Sequence, residues 1–187
     1  MKRLDSLTFI TGNAVKAQTM GKYLDFPIDH QKLNLVEIQS LDLREVITFK
    51  AKEAYQKIKK PVLVEDTSLT FLALGRLPGT FIKWFEEMGN EKLCRLLDSY
   101  SDRSAVYEVA IGLYDGENLE IFTQAAQGSI AQEPSEGGFG WNAIFIYKGF
   151  EKTIAELNEE ERIPLSTRRK VIKKLEYHLK QYAFSEN

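Results

Sequence analysis

The 187-residue chain holds a single cysteine, Cys94, and only two histidines, His30 and His178. One cysteine excludes an intrachain disulfide. So thin and scattered a Cys/His set does not assemble a zinc centre. Long apolar runs are also missing, and Asp5 and Ser6 interrupt the N-terminal stretch before Leu7. Neither a signal peptide nor a membrane-spanning helix is expected, and the expected location is the cytoplasm. The net charge is only −2, which argues against a broad nucleic-acid or membrane-surface partner while leaving room for a local basic groove. The Walker spacing Gly-x4-Gly-Lys-Ser/Thr is absent, which excludes a P-loop ATPase. Gly-x-Gly-x-x-Gly at a strand–helix turn is absent too. No repeat, low-complexity tract or linker composition divides the chain, so one domain over residues 1–187 is expected.

What is present is an ordinary globular composition, 43% hydrophobic and 28% charged. Residues 7–11 predict a strand that turns at Gly12-Asn13 into a helix over 14–24. Ile47, Ala51, Ala54, Tyr55 and Ile58 share one face of a second helix, 44–58. A strand is expected at 62–65, and Asn90 is expected to cap a helix through Leu97 with Leu93, Leu96 and Leu97 inward. Strand 106–114 should turn at Asp115-Gly116 into 119–126, with further strands at 129–131 and 143–147. Arg168, Val171, Ile172, Leu175 and Leu179 mark an amphipathic C-terminal helix. Helices and strands alternate early and strands cluster in the middle. That order predicts an α/β fold in two lobes, with a long mixed sheet flanked by helices and the active site in the cleft between the lobes.

The segment 61–85 carries the strongest chemical signal. Val62 to Val64 run straight into Glu65 and Asp66, and a glycine- and proline-punctuated loop then leads to Lys83 beside Trp84. Carboxylates at a strand end serve as metal ligands or as a general base. Adjacent strand residues face opposite ways, so both acids reach one site only if the backbone turns there. Glu37 is an acid within the apolar run Leu35-Val36-Glu37-Ile38, and a surface position on an edge strand is its simpler reading. Lys50 reads as part of a solvated helix face. Lys83 reads as pocket-lining, or as snorkelling over Trp84.

Thr11-Gly12-Asn13-Ala14-Val15-Lys16 is either a phosphate-binding helix start or an ordinary capped one. Gly137-Gly138-Phe139-Gly140-Trp141-Asn142 offers stacking aromatics in a glycine-rich loop, or a hairpin with two core aromatics. Ser166 suits a helix N-cap, but Arg168, Arg169 and Lys170 then crowd cations at the positive end of the helix dipole. That arrangement calls for an acid or an anionic ligand.

Taken together, these stretches resemble the inosine triphosphate pyrophosphatase family, which hydrolyses non-standard purine nucleoside triphosphates. The resemblance runs in order through Thr11-Gly-Asn-x-x-Lys16, Val64-Glu-Asp-Thr67, Ala73-Leu-Gly-x-Leu-Pro-Gly79, Ile82-Lys-Trp-Phe85, Gly138-Phe-Gly-Trp141 and Ser166-x-Arg168. It implies a homodimer, Mg²⁺, and release of pyrophosphate with a nucleoside monophosphate left behind. Carried over by position, Thr11, Asn13, Lys16, Lys50 and Lys83 would hold the triphosphate. Glu37 and Asp66 would bind Mg²⁺ with Glu65 nearby, and Asp66 would activate water. Phe139 and Trp141 would flank the base, and Arg168 would reach its oxygen. Asn142, Thr167 and Arg162 stand where the family usually has aspartate, histidine and lysine, and Ser166 completes that set. Reaction type is therefore better fixed than substrate. The rival readings are a nucleotide-binding dimer of the same fold with little turnover, and an aspartyl phosphatase, which would want Asp-x-Asp where Asp66-Thr67-Ser68 stands.

Overall fold

The structure is a computed structural model that describes residues 4–184. Its elements in order are β1 Leu7–Ile10, α1 Ala14–Tyr23, β2 Ile28–Gln31, α2 Leu43–Ile58, β3 Val62–Phe71, β4 Pro78–Gly79, α3 Ile82–Phe85, α4 Asn90–Arg95, β5 Ser104–Tyr114, β6 Leu119–Ile130, β7 Phe145–Tyr147, α5 Glu159–Leu165 and α6 Thr167–Phe184. The seven strands form one mixed sheet in the order β2-β1-β3-β5-β6-β7, with β4 beside β3. β1 is parallel to both β2 and β3, while β4 and β7 run antiparallel to their partners. Among the described residues no helix is long and apolar enough to cross a membrane.

The chain divides into two compact units. The first comprises Met1–Asp66, Val109–Gln124 and Arg168–Asn187. Its core forms because α2 repeats apolar residues at helical spacing and β3 at strand spacing. Leu43, Ile47, Ala51 and Ala54 of α2 pack on Ile10, Val62, Val64 and Ala110 of the sheet. Asp42 starts α2, its carboxylate accepting from the Arg44 and Glu45 amides. The other strand parity carries Phe9 and Leu63, and the inward residues of α6, Val171, Ile172, Leu175 and Leu179, are all buried. Arg169 of α6 stacks over the Tyr23 ring at the end of α1, 5.1 Å from its centroid.

The second unit comprises Thr67–Glu108 and Ala125–Thr167. Its core is aromatic: Tyr107, Trp141, Phe145 and Tyr147 meet edge to face. That geometry sets the positive edge of one ring against the negative face of the next.

Several expectations are corrected. β3 does not stop at the acids but runs on to Phe71. Thr67, Thr70 and Phe71 fit a pleated surface, and the acids find cationic partners, so the strand has no need to reach water there. Residues 119–130 form one strand, not two. Gly128 sits within it for close approach, since a Cβ there would lie 2.1 Å from the Ile146 carbonyl oxygen and 2.6 Å from the Phe145 ring. Asn90 is the first residue of α4 and Gly89 holds the cap position, while Cys94, not Leu96, turns inward with Leu93 and Leu97. β2, β4, α3 and α5 were not anticipated, being short or largely exposed.

His178 of α6 packs edge to face on Phe122, with ring centroids 5.1 Å apart. Burial pushes its pKa below the usual 6.5, against a partial opposing pull from Glu120. The unfolded chain therefore binds a proton more readily than the folded one below 6.5, and stability falls as pH drops through that value. We expect the Tm to decline between about pH 7.5 and about pH 5.5, and His178→Phe to flatten that slope. An unchanged slope in the variant would remove His178 from the account.

Candidate active site

Strand parity sorts the two acids of β3. Val62 and Val64 face α2, so Asp66 does as well, while Leu63 and Glu65 face the opposite way. On the α2 side, the Lys50 ammonium donates to Asp66 Oδ2 at 2.6 Å and to Glu37 Oε1 at 3.3 Å. Lys50 lies one turn beyond Ile47 and next to Ala51, both fully buried, so core packing presents it to the sheet. Burial by itself would lower its pKa. The Asp66 charge, the hydrogen bond to it and the Glu37 carboxylate outweigh that, and hold it above the usual lysine value.

Glu37 comes from an irregular stretch before α2 and not from an edge strand. Its neighbour Val36 is anchored by a hydrogen bond, its backbone amide donating to Glu53 Oε2 at 2.8 Å. The side chains of Glu37 and Asp66 keep 34% and 22% of their surface exposed, against 13% for Lys50. Two partly open carboxylates converging on one cation are a donor set that can also hold a divalent ion. Mg²⁺ takes one or two carboxylates plus waters and substrate phosphates, not an all-protein cage. Among the described residues no group of three or more acidic, histidine or cysteine side chains that could hold a metal occurs.

On the opposite face, Arg168 Nε donates to Glu65 Oε1 at 2.9 Å, and the Lys16 ammonium lies 3.5 Å from the same oxygen. The Lys16 ammonium also donates to the Glu65 backbone carbonyl at 3.5 Å. The Glu65 side chain has no exposed surface, and its Oε2 has no hydrogen-bond partner. The acid called for by the cationic start of α6 is therefore Glu65. The structure brings Glu37, Lys50 and Asp66 into one group, and Lys16, Glu65 and Arg168 into another.

The turn after β1 uses its side chains locally. Asn13 caps α1 by accepting from the Val15 and Lys16 amides, and Thr11 Oγ1 accepts from the Asn13 amide. The Thr11 carbonyl accepts from His30 Nε2 at 2.9 Å, which requires the proton on that nitrogen. No local signal marked His30 for this contact, because it comes from β2, a strand with almost no apolar pattern.

The second unit carries the remaining candidates. Lys83 is exposed on α3, its ammonium 5.7 Å from the Trp84 ring centroid, which is the snorkelling geometry. Phe139 is 60% exposed while Trp141 is 9% exposed, so one aromatic of the glycine-rich loop is open and the other is built into the core. Gly137, Gly138 and Gly140 all have positive φ, which lets the loop fold back. Asn90 of α4 ties the loop down, its side-chain amide donating to the Gly140 carbonyl at 2.9 Å. Sequence reasoning cast Asn90 only as a helix cap. The Asn142 carbonyl accepts from the Ala155 amide. Arg162 is exposed in α5, and its carbonyl accepts from the Ser166 amide at the junction with α6. Thr167 is buried at 1% exposure, with its hydroxyl unpartnered.

The Ham1 family model matches residues 7–178. The chain is 39% identical over 184 residues to the inosine triphosphate pyrophosphatase of Yarrowia lipolytica, covering 95% of this chain and 97% of that one. It is 38% identical over 179 residues to inosine triphosphate pyrophosphatase 2 of Trypanosoma cruzi, covering 92% and 91%. The solved structure of a HAM1 protein from Coxiella burnetii superposes with a TM-score of 0.85 at 26% identity, over 95% of this chain and 100% of that one. On the match of the family model and the likeness to these relatives over nearly the whole chain, the chain belongs to the Ham1 family.

Proposed function

We propose that this protein is a nucleoside triphosphate pyrophosphohydrolase. In this reading it cleaves non-standard purine nucleotides such as ITP, dITP and XTP to the monophosphate and pyrophosphate with Mg²⁺. The observation that carries the reading is Lys50 held between Glu37 and Asp66 on one face of β3. The names of the relatives over nearly the whole chain support it. A homodimer of single-domain chains acting in the cytoplasm, with no nucleic-acid or membrane partner, belongs to the same proposal.

In this reading Glu37 and Asp66 would hold the metal, while Glu65, expected beside them, faces the other side of β3. When bound, the metal neutralises phosphate charge and polarises the phosphoryl group. The chain's own groups do the rest. The Asp66 carboxylate accepts the proton of the attacking water. Lys50, kept protonated by its two acids, orients Asp66 and adds positive charge. Lys16, Lys83 and the Thr11–Asn13 turn hold the phosphate tail. Phe139, Trp141, Asn142, Arg162, Ser166, Thr167 and Arg168 frame the base. Attack at the α-phosphate asks for positioning and charge neutralisation more than for covalent chemistry, and dispersed lysines supply both without a P-loop.

A substrate panel of inosine, xanthosine, adenosine and guanosine triphosphates, scored for pyrophosphate against orthophosphate, tests the proposal. Pyrophosphate release that stops in excess chelator is the expected result. Orthophosphate as the sole product, or full activity in chelator, would refute it. Nucleotide binding without turnover would leave the binding-dimer reading in its place.

Lys16→Ala and Lys83→Ala should each weaken triphosphate binding by about tenfold or more, since each removes a charge-assisted contact. A monophosphate should lose less. Titrating both ligands calorimetrically checks this, and equal losses would place these lysines away from the phosphate tail.

A further inference from the structure

Glu65 neighbours Asp66 in sequence, yet its surroundings differ in kind. Its side chain is fully sealed from solvent. Mg²⁺ dehydrates reluctantly and keeps several waters when a protein binds it, so a sealed carboxylate suits it poorly. The partners of Glu65 come instead from two helices. Lys16 stands in the first turn of α1 and Arg168 in the first turn of α6, and both approach the same oxygen, Oε1. Helix starts disfavour cations and favour anions, so one buried carboxylate answers both. Its Oε2 has no hydrogen bond to share the load.

We propose that Glu65 is a positioning residue and not a metal ligand: a buried anion that fixes Lys16 and Arg168 relative to each other. The inference rests on the pyrophosphohydrolase reading, in which Lys16 meets the phosphate tail and Arg168 the base. Glu65 then sets the spacing of the two cations that grip opposite ends of the nucleotide. Parity leaves Asp66 and Glu37 to the metal on the other face.

The test uses the full chain, with Glu65→Gln, Glu65→Asp, Arg168→Gln and the double variant E65Q/R168Q. Thermal melting verifies that each folds. Inosine monophosphate binding is measured calorimetrically in chelator, where no metal contributes. Half-saturating Mg²⁺ and the ITP/ATP ratio of kcat/KM are measured in turnover. We expect E65Q to weaken monophosphate binding and to lower the ITP/ATP ratio, each by about tenfold, with half-saturating Mg²⁺ moving by less than about twofold. R168Q should reproduce both losses, and E65Q should add little on top of it. E65D keeps the charge and loses one methylene of reach, so it should fall between E65Q and wild type. If E65Q does not fold, E65D and R168Q carry the comparison.

A tenfold rise in half-saturating Mg²⁺ with monophosphate binding unchanged would make Glu65 a metal ligand and overturn the inference. Full additivity of the two single variants would overturn it as well. A wild-type protein that turns over while the variants behave in those ways fails only this inference. A wild-type protein that releases no pyrophosphate fails the functional reading beneath it.

Discussion

Asp66→Asn lowers kcat by about 10²-fold or more, the usual scale for loss of a general base. The amide keeps the shape of the carboxylate and can still accept from Lys50 through its oxygen. What it cannot do is take a proton or offset the charge of a metal. The side chain keeps 22% of its surface exposed, so water partly compensates the cation left beside it, and the fold should survive. Inosine monophosphate binding measured in chelator should change little, because Asp66 lies on the metal face of β3. Single-turnover kinetics with ITP, alongside a melting curve, separates chemistry from folding. A variant within about threefold of wild type would show that the water is activated elsewhere.

Gly112→Val acts from further away and reaches the same site. Gly112 lies in β5, on the face that α2 covers. A Cβ built there stands 2.6 Å from Ile47 Cγ2 and 3.3 Å from Val64 Cγ2. The first distance is shorter than real contacts allow, and two further methyl groups must also find room. Val64 belongs to the sheet and has little freedom, so α2 must give way. Overpacking of this kind costs about 1–3 kcal/mol. Lys50 is three residues beyond Ile47 on the same helix, and its 2.6 Å contact with Asp66 leaves no slack. Displacement of about 1 Å at a positioned group can cost about 10² in rate. The expected outcome is a lower Tm together with a fall in kcat larger than the unfolded fraction explains. Denaturant melts paired with assays well below the Tm test this. A variant that loses stability alone would show that α2 settles back without moving Lys50.

The sequence made some of this legible and hid the rest for identifiable reasons. The face of α2 could be read because Ile47, Ala51 and Ala54 recur at helical spacing, and all three are fully buried. The opposed directions of Glu65 and Asp66 followed from the strand period alone. The partners of those acids did not. Lys50 looks like a solvated helix residue until Glu37 arrives from an irregular stretch whose path no local pattern sets. The need for an anion at the start of α6 was visible in Arg168-Arg169-Lys170. Its identity was not, because the pair it forms spans 103 positions. Continuation of β3 past its acids was missed for a related cause: charges end a strand when they need water, and these are met by lysines and an arginine. Trp141 shows the limit of composition. A glycine-rich loop with two aromatics fits a stacking platform, and one of the two, at 9% exposure, also closes a core.

The parity of β3 bears on which heritable changes this protein can survive. A substitution at Glu65 or Asp66 damages one charge group and leaves the other standing. Loss of a single codon between Val62 and Glu65 would rotate every later residue of the strand to the other side. The acid meant for Lys50 would then face α6, and the acid meant for Arg168 would face α2. Point replacements in this segment should therefore show graded effects, and one-residue insertions or deletions should behave as nulls. Paired length changes that restore the even count should recover part of what was lost.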